Sequence, residues 1–188
     1  MRECLRDLRQ EGGMLPRIEL PAINLAPLNE LIDARRSQWG QIGTPQTLAL
    51  NKSCILILSA LLQGYIEEVF FAVSSYMLMH LAGDDLETYK QSIGNWGNPN
   101  AQNIDRLFTR IGVTNLIDKV TWQRTDGSKI RRRLQLLNEQ RNAIAHGKTP
   151  KGSLKLEQIE RMRDFVEQFS INLNRYFTRR SKGVLSVR

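Results

Sequence analysis

Two cysteines and two histidines leave this chain of 188 residues poorly supplied for metal binding or disulfide stapling. Cys4 and Cys54 lie far apart, and neither has a second cysteine or a histidine at ligand spacing, which argues against a zinc site. That usage suits a reducing, cytoplasmic setting. Acidic residues are also short: 19 Asp and Glu against 27 Lys and Arg give a formal net charge of +8. An excess of that size on a small domain favours polyanions, nucleic acid first and anionic membrane second. Long apolar runs are missing as well. The most hydrophobic stretch, Ser53 to Ile66, is too short to span a bilayer before Glu67 and Glu68 interrupt it, so no membrane span is expected. The charged N-terminus lacks the apolar region of a secretory signal. Finally, there is no glycine-rich phosphate loop ending in Lys-Ser or Lys-Thr, no nucleophile elbow and no His-Glu-x-x-His pair. The common nucleotide-hydrolysing, serine-hydrolase and zinc-protease chemistries are thereby set aside, and neither a cofactor nor a metal is expected.

What the chain does have is helical periodicity. Thr44-Pro45 is a helix start, and apolar residues at helical spacing from Leu48 to Leu81 predict a long central core helix with a bend near Gly64, ended by Gly83. Pro27 opens a shorter helix towards Trp39. Asn98-Pro99 begins another, Asn100 to Ile111, closed by Gly112. Thr114 is expected to cap a short helix to Trp122, and Thr125 to Ser128 to form a turn and a cap. Ser153 opens the last helix, with Leu156, Ile159, Met162, Phe165, Val166, Phe169, Leu173 and Tyr176 on one side. No convincing strand appears. The expected fold is all-α, a bundle of four to five main helices with short helical insertions. The expected divisions are an arm with a short helix over 1–26, a helical domain over 27–178 and a basic tail over 179–188.

One stretch does not fit a plain bundle. The helix before Gly147 has an apolar stripe of Ile130, Leu134, Leu137, position 141 and Ile144, at steps of four, three, four and three. Position 141 is arginine. A guanidinium on a core stripe is costly unless it is paired or faces a wet cleft. Asn142 and His146 are four apart, on one face at the same helix end. The helix begins with Lys129, Arg131, Arg132 and Arg133, and Lys148 and Lys151 follow it; these six cations are candidates for holding phosphates. Two plainer roles stand beside this one: Arg141 pairing with Glu139, Glu67 or Glu68 within the bundle, and His146 complementing the helix dipole. His80, in the last turn of the long helix, is read as a dipole partner. Asp84, Asp85 and Glu87 are read as a solvated loop that caps the next turn.

Arg141-Asn142-Ala143-Ile144-Ala145-His146-Gly147 resembles the Arg-Asn-x-x-x-His motif of the HEPN superfamily. Three further stretches are similar to its RiboL-PSP-HEPN family: Gln63-Gly64-Tyr65-Ile66-Glu67-Glu68-Val69-Phe70, Asn98-Pro99 leading to Asn103-Ile104, and Leu107-Phe108-Thr109-Arg110-Ile111-Gly112. The resemblance spans about Thr44 to Tyr176. It implies an all-α bundle that dimerises through its motif helices. For active members it implies a metal-independent endoribonuclease, with Arg141, Asn142 and His146 at the catalytic site. Many relatives are toxins or phage-defence effectors, which brings in an antitoxin or other neutralising protein as a partner. Others have lost catalysis and only bind RNA or nucleotides, or dimerise.

The chemistry is coherent on its own terms. Cleaving RNA without a metal requires the ribose 2′-hydroxyl to attack the adjacent phosphate, leaving 2′,3′-cyclic phosphate and 5′-hydroxyl ends. An imidazole exchanges protons near neutral pH and serves as general acid or base. A guanidinium stabilises the phosphorane's charge. Five residues turn a helix through about 140°, so Arg141 and His146 do not stand in line, and two facing motif helices would supply both groups to one cleft. A catalytically silent RNA-binding or assembly module and a purely structural bundle remain the alternatives.

Overall fold

The structure, a computed structural model, describes residues 18–38, 43–77, 88, 91, 96–150, 152 and 154–186. The expectations for Cys4 and the start of the arm, Trp39, His80, Gly83, the Asp84, Asp85 and Glu87 group, Lys151 and Ser153 lie outside the described residues.

Helix α1, Ala26–Ser37, carries Pro27 in its first turn, where a missing N–H costs nothing. Helix α2, Pro45–Met77, starts where the Thr44 hydroxyl accepts the Thr47 N–H at 3.3 Å. It continues through Gly64 as unbroken helix rather than ending or restarting there. Helix α3, Ala101–Thr109, is capped by the Asn100 side chain, which accepts the Asn103 N–H at 2.9 Å. Helix α4, Leu116–Lys119, is a single turn. Thr114 is not its cap: the turn begins at Asn115 in the left-handed region, and the Ile117 N–H is taken at 2.9 Å by Asp105 from α3. The cap therefore comes from a neighbouring helix instead of the local sequence. Between α4 and α5, Trp122 and Thr125 pair their backbones across a tight turn, the one isolated bridge among the described residues. Asp126 caps helix α5, Gly127–Ala145, by accepting the Lys129 N–H at 2.9 Å. Helix α6, Leu156–Ser186, completes the bundle.

The core is one cluster, with α2 at its centre and α1, α3, α5 and α6 packed around it. Leu58, Leu62, Ile66, Val69 and Phe70 of α2 are fully or almost fully buried, as a helix surrounded by others requires. By length and composition α2 is apolar enough to cross a membrane, with a window of mean hydropathy 1.7, half of it buried in the bundle. This corrects the expectation that no stretch is long enough: Glu67 and Glu68 interrupt the run without ending the helix. Phe108 of α3 meets Phe70 edge-on at 5.4 Å and stacks on Phe177 of α6 at 5.3 Å, joining three helices.

Ile18 and Leu25 are buried in the core, and the Pro21 carbonyl accepts a 2.7 Å hydrogen bond from Asn174 of α6. The Tyr65 hydroxyl lies 2.8 Å from Asn174 Oδ1 and 2.9 Å from the Ser170 carbonyl. Residues 18–26 thus pack against the helical bundle. At the other end α6 runs on to Ser186, so Arg179 and Arg180 stand on a helix and not in a tail. A charged position also turns out to be internal. Arg35 of α1 is 6% exposed, and its Nε donates to Asn51 Oδ1 at 3.1 Å. Asn51 Nδ2 in turn donates to the Leu154 carbonyl at 2.6 Å.

Candidate functional site at the end of helix α5

The inward stripe of α5 begins as expected with Ile130, Leu134 and Leu137, all buried. It then departs from the expected course. Gln140 is the next buried residue, while Arg141 and Ile144 are only half-buried. The last turn of α5 faces the segment Trp96–Asn100, and this polar segment, not the apolar core, receives Asn142.

That segment is built in steps. Trp96 is buried, and its indole Nε1 donates to Glu67 Oε1 at 2.7 Å; Gln63 Nε2 reaches the same oxygen at 3.3 Å. Gly97 follows at φ +92°, and a Cβ there would sit 2.7 Å from Asn103 Nδ2, so both backbone conformation and space demand glycine. The turn presents Asn98, whose carbonyl accepts the Asn103 Nδ2 at 2.9 Å and whose own Nδ2 donates to Asn142 Oδ1 at 3.1 Å. The same Asn142 oxygen accepts Arg141 Nη1 at 3.0 Å. One amide oxygen therefore gathers a guanidinium and a second amide from a distant part of the chain.

His146 is held by backbone rather than by its ring. Its N–H bonds to the Asn142 carbonyl at 3.0 Å, the Gly147 N–H to Ile144 at 3.0 Å and the Lys148 N–H to Ala143 at 2.7 Å. With Gly147 at φ +66° this is a Schellman ending, and it makes His146 the exposed C-cap residue that follows Ala145. One turn before Asn142, Asn138 Oδ1 is buried without a hydrogen-bond partner among the described residues.

Arg141 has no carboxylate partner among the described residues. The acids that might have neutralised it are otherwise engaged: Glu67 by Trp96 and Gln63, Glu139 by Gln135 Nε2 at 2.9 Å. Glu68 is exposed on α2. The guanidinium keeps donors for an incoming anion, in a half-buried place where such bonds are stronger than in open water.

The expected phosphate-holding cations are not brought together. Arg131 is clamped to Asp105 Oδ2 at 2.9 Å and Asp118 Oδ2 at 2.8 Å. Asp118 first and Asp105 second raise its pKa above the ordinary arginine value. It is a tie between α3, α4 and α5. Lys129 Nζ donates to the Arg124 carbonyl at 2.7 Å. Arg133 lies over the Phe165 ring at 5.2 Å, on another flank of the helix. Arg132 and Lys148 are exposed. Asn98 is the residue that sequence reasoning passed over as a helix start. Its signal was the Gly97-Asn98-Pro99 run, a turn that displays one polar side chain. Among the described residues no three His, Cys, Asp or Glu side chains gather as a metal site would require.

The profile of the RiboL-PSP-HEPN family matches residues 28–179, which covers most of the helical domain and includes every part of this site. No curated protein and no solved structure gives a significant match.

Proposed function

We propose that this chain, which belongs to the RiboL-PSP-HEPN family, is a metal-independent endoribonuclease whose site is Arg141, Asn142 and His146 at the end of α5. Membership makes it a HEPN-type nuclease or RNA-binding module, a class in which ribonucleases are common. The observation that carries the finer reading is Arg141: a half-buried guanidinium held by an amide oxygen, with no carboxylate to neutralise it among the described residues.

In the proposed reaction the ribose 2′-oxygen attacks the adjacent phosphorus and the bond to the 5′-oxygen breaks. His146 removes the 2′-proton or supplies one to the leaving 5′-oxygen. Arg141 stabilises the charge gathered on the non-bridging oxygens. Asn142, braced by Asn98, sets the direction of the guanidinium. Arg141 and His146 leave the helix about 140° apart. Two motif helices facing one another in a homodimer give each cleft both groups, and this is the assembly we propose. Arg132 and Lys148, both exposed, remain phosphate-holding candidates on α5 and just after it.

The test is cleavage of total RNA in EDTA by the wild-type chain and by His146→Ala, with end analysis of the products. Cyclic phosphate ends, and loss of roughly 10²–10⁴ in rate for the variant, are expected. Equal activity of the two proteins, or strict dependence on magnesium, would sink the mechanism. Tight RNA binding without cleavage would identify a silent binding module instead. A role as toxin or defence effector, kept in check by a neutralising protein, predicts growth arrest on induction that His146→Ala relieves.

A further inference from the structure

A cleft of about 550 Å³ opens between α6 and the α4–α5 connection, and no motif residue lines it. Lys119, Arg175, Arg179 and Arg180 supply its charge, and Trp122 and Tyr176 its rings. Among the described residues that line it none is acidic. The Arg180 Nη1 donates to the Tyr176 hydroxyl at 2.9 Å and Lys119 Nζ to the Thr114 carbonyl at 2.5 Å, so these groups are placed by neutral partners that leave their charge uncompensated. Trp122 is half-buried, 6.1 Å from Phe165 and fixed through its backbone pair with Thr125. Trp122 also lines a separate hollow of about 250 Å³, where Arg133 lies over Phe165 and Asp164 is among the lining residues.

Cations along a groove with an aromatic ring set among them are what a single strand of nucleic acid requires. The cations follow the phosphates, and an unpaired base stacks on the ring. A duplex keeps its bases inside and has no use for the ring. We infer that this cleft binds a segment of single-stranded RNA, with phosphates against Lys119, Arg175, Arg179 and Arg180 and a base on Trp122, as a docking site separate from Arg141, Asn142 and His146. The choice of RNA rests on the proposed function. The separation follows from the lining: none of Arg141, Asn142 and His146 is among the residues around the cleft. The cleft therefore favours long substrates and does nothing for a dinucleotide.

The experiment uses the full chain carrying His146→Ala, so that bound RNA is not consumed. Binding of a labelled 15-nucleotide single strand is followed by anisotropy and tryptophan emission, beside a duplex and a single-stranded DNA of the same sequence and a poly-glutamate. Arg175→Glu with Arg179→Glu, both exposed positions, should weaken binding of the single-stranded RNA roughly tenfold and lower the salt slope by about 1.4. Trp122→Phe keeps a ring in the fold and should remove the RNA-induced quenching. Equal affinity for the duplex, an unchanged Kd in the double variant, or quenching by poly-glutamate alone overturns the inference, the last result pointing to an acidic peptide. Equal affinity for the DNA leaves the cleft a single-strand site and removes its preference for RNA. Cleavage by the wild-type chain with an unaffected double variant would remove the cleft and keep the proposed function. Binding through the cleft by a wild-type chain that never cleaves would do the reverse.

Discussion

The two ends of α5 hold arginines that meet opposite fates. Arg131, at the start, is gripped by Asp105 and Asp118, and its charge is spent on joining three helices. Arg141, near the end, meets the Asn142 oxygen and no carboxylate among the described residues, and its charge is not spent. The residue type is the same and so is the helix. What differs is whether the neighbouring elements bring a carboxylate or an amide. A cation facing two acids is part of the scaffold, whereas one held by an amide is positioned but still electrophilic. Counting arginines along a helix, as the run from Lys129 to Arg133 invites, merges these two roles.

The largest effect that tests this contrast is on activity. Arg141→Ala should reduce RNA cleavage by roughly 10²–10³ while leaving the melting temperature nearly unchanged; a large loss of stability instead would make Arg141 a second Arg131. Next comes Asn98→Ala, which removes one of the two donors on Asn142 Oδ1. A rate loss of roughly tenfold and a stability loss of about 1 kcal/mol are expected, read by kinetics and by denaturant titration. Arg131→Ala should show the reverse pattern. The clamp is partly exposed, with the Asp105 side chain only 18% accessible, so a stability loss of about 1 kcal/mol is expected, with cleavage intact. In a domain of this size that is a fall of about 2–4 °C in the melting temperature.

The smallest effect concerns pH. Burial is the main force that pushes the Cys54 thiol from 9.0 up to about 11, so the folded state keeps it protonated where the unfolded chain releases its proton. The associated stability is present below pH 9 and is lost as pH rises towards 11. Burial also pushes Tyr65 upward, which adds to the loss at the alkaline end. Melting temperatures measured across that window should fall, and Cys54→Ala should make the slope shallower; an identical slope would exclude Cys54 as its source.

Much of the scaffold was legible in the chain. Thr44, Asn100, Asp126 and Gly147 mark helix ends through bonds made within a few residues of themselves, and such signals survive in any tertiary setting. The core of α2 was legible for a similar reason, because its periodicity is wide and unbroken. The cap of α4 was not, since Asp105 supplies it from twelve residues away. Neither was the placement of residues 18–26, which have no periodicity and join the core through Ile18, Leu25 and a bond from Asn174. At the site, Arg141, Asn142 and His146 stood out as an interrupted stripe with a polar pair at its end. Asn98 did not, because its partner lies 44 positions further on.

The sequence by itself determined an all-helical domain, the position of each principal helix and the group Arg141, Asn142 and His146 at one helix end. Those features depend on bonds and periodicities that close within a few turns. Only the tertiary structure decided which charges are neutralised. It gave Asp105 and Asp118 to Arg131, Trp96 and Gln63 to Glu67, and Asn98 to Asn142. Charge is strongest where water is excluded, and which side chains share such a place is settled by packing between distant segments.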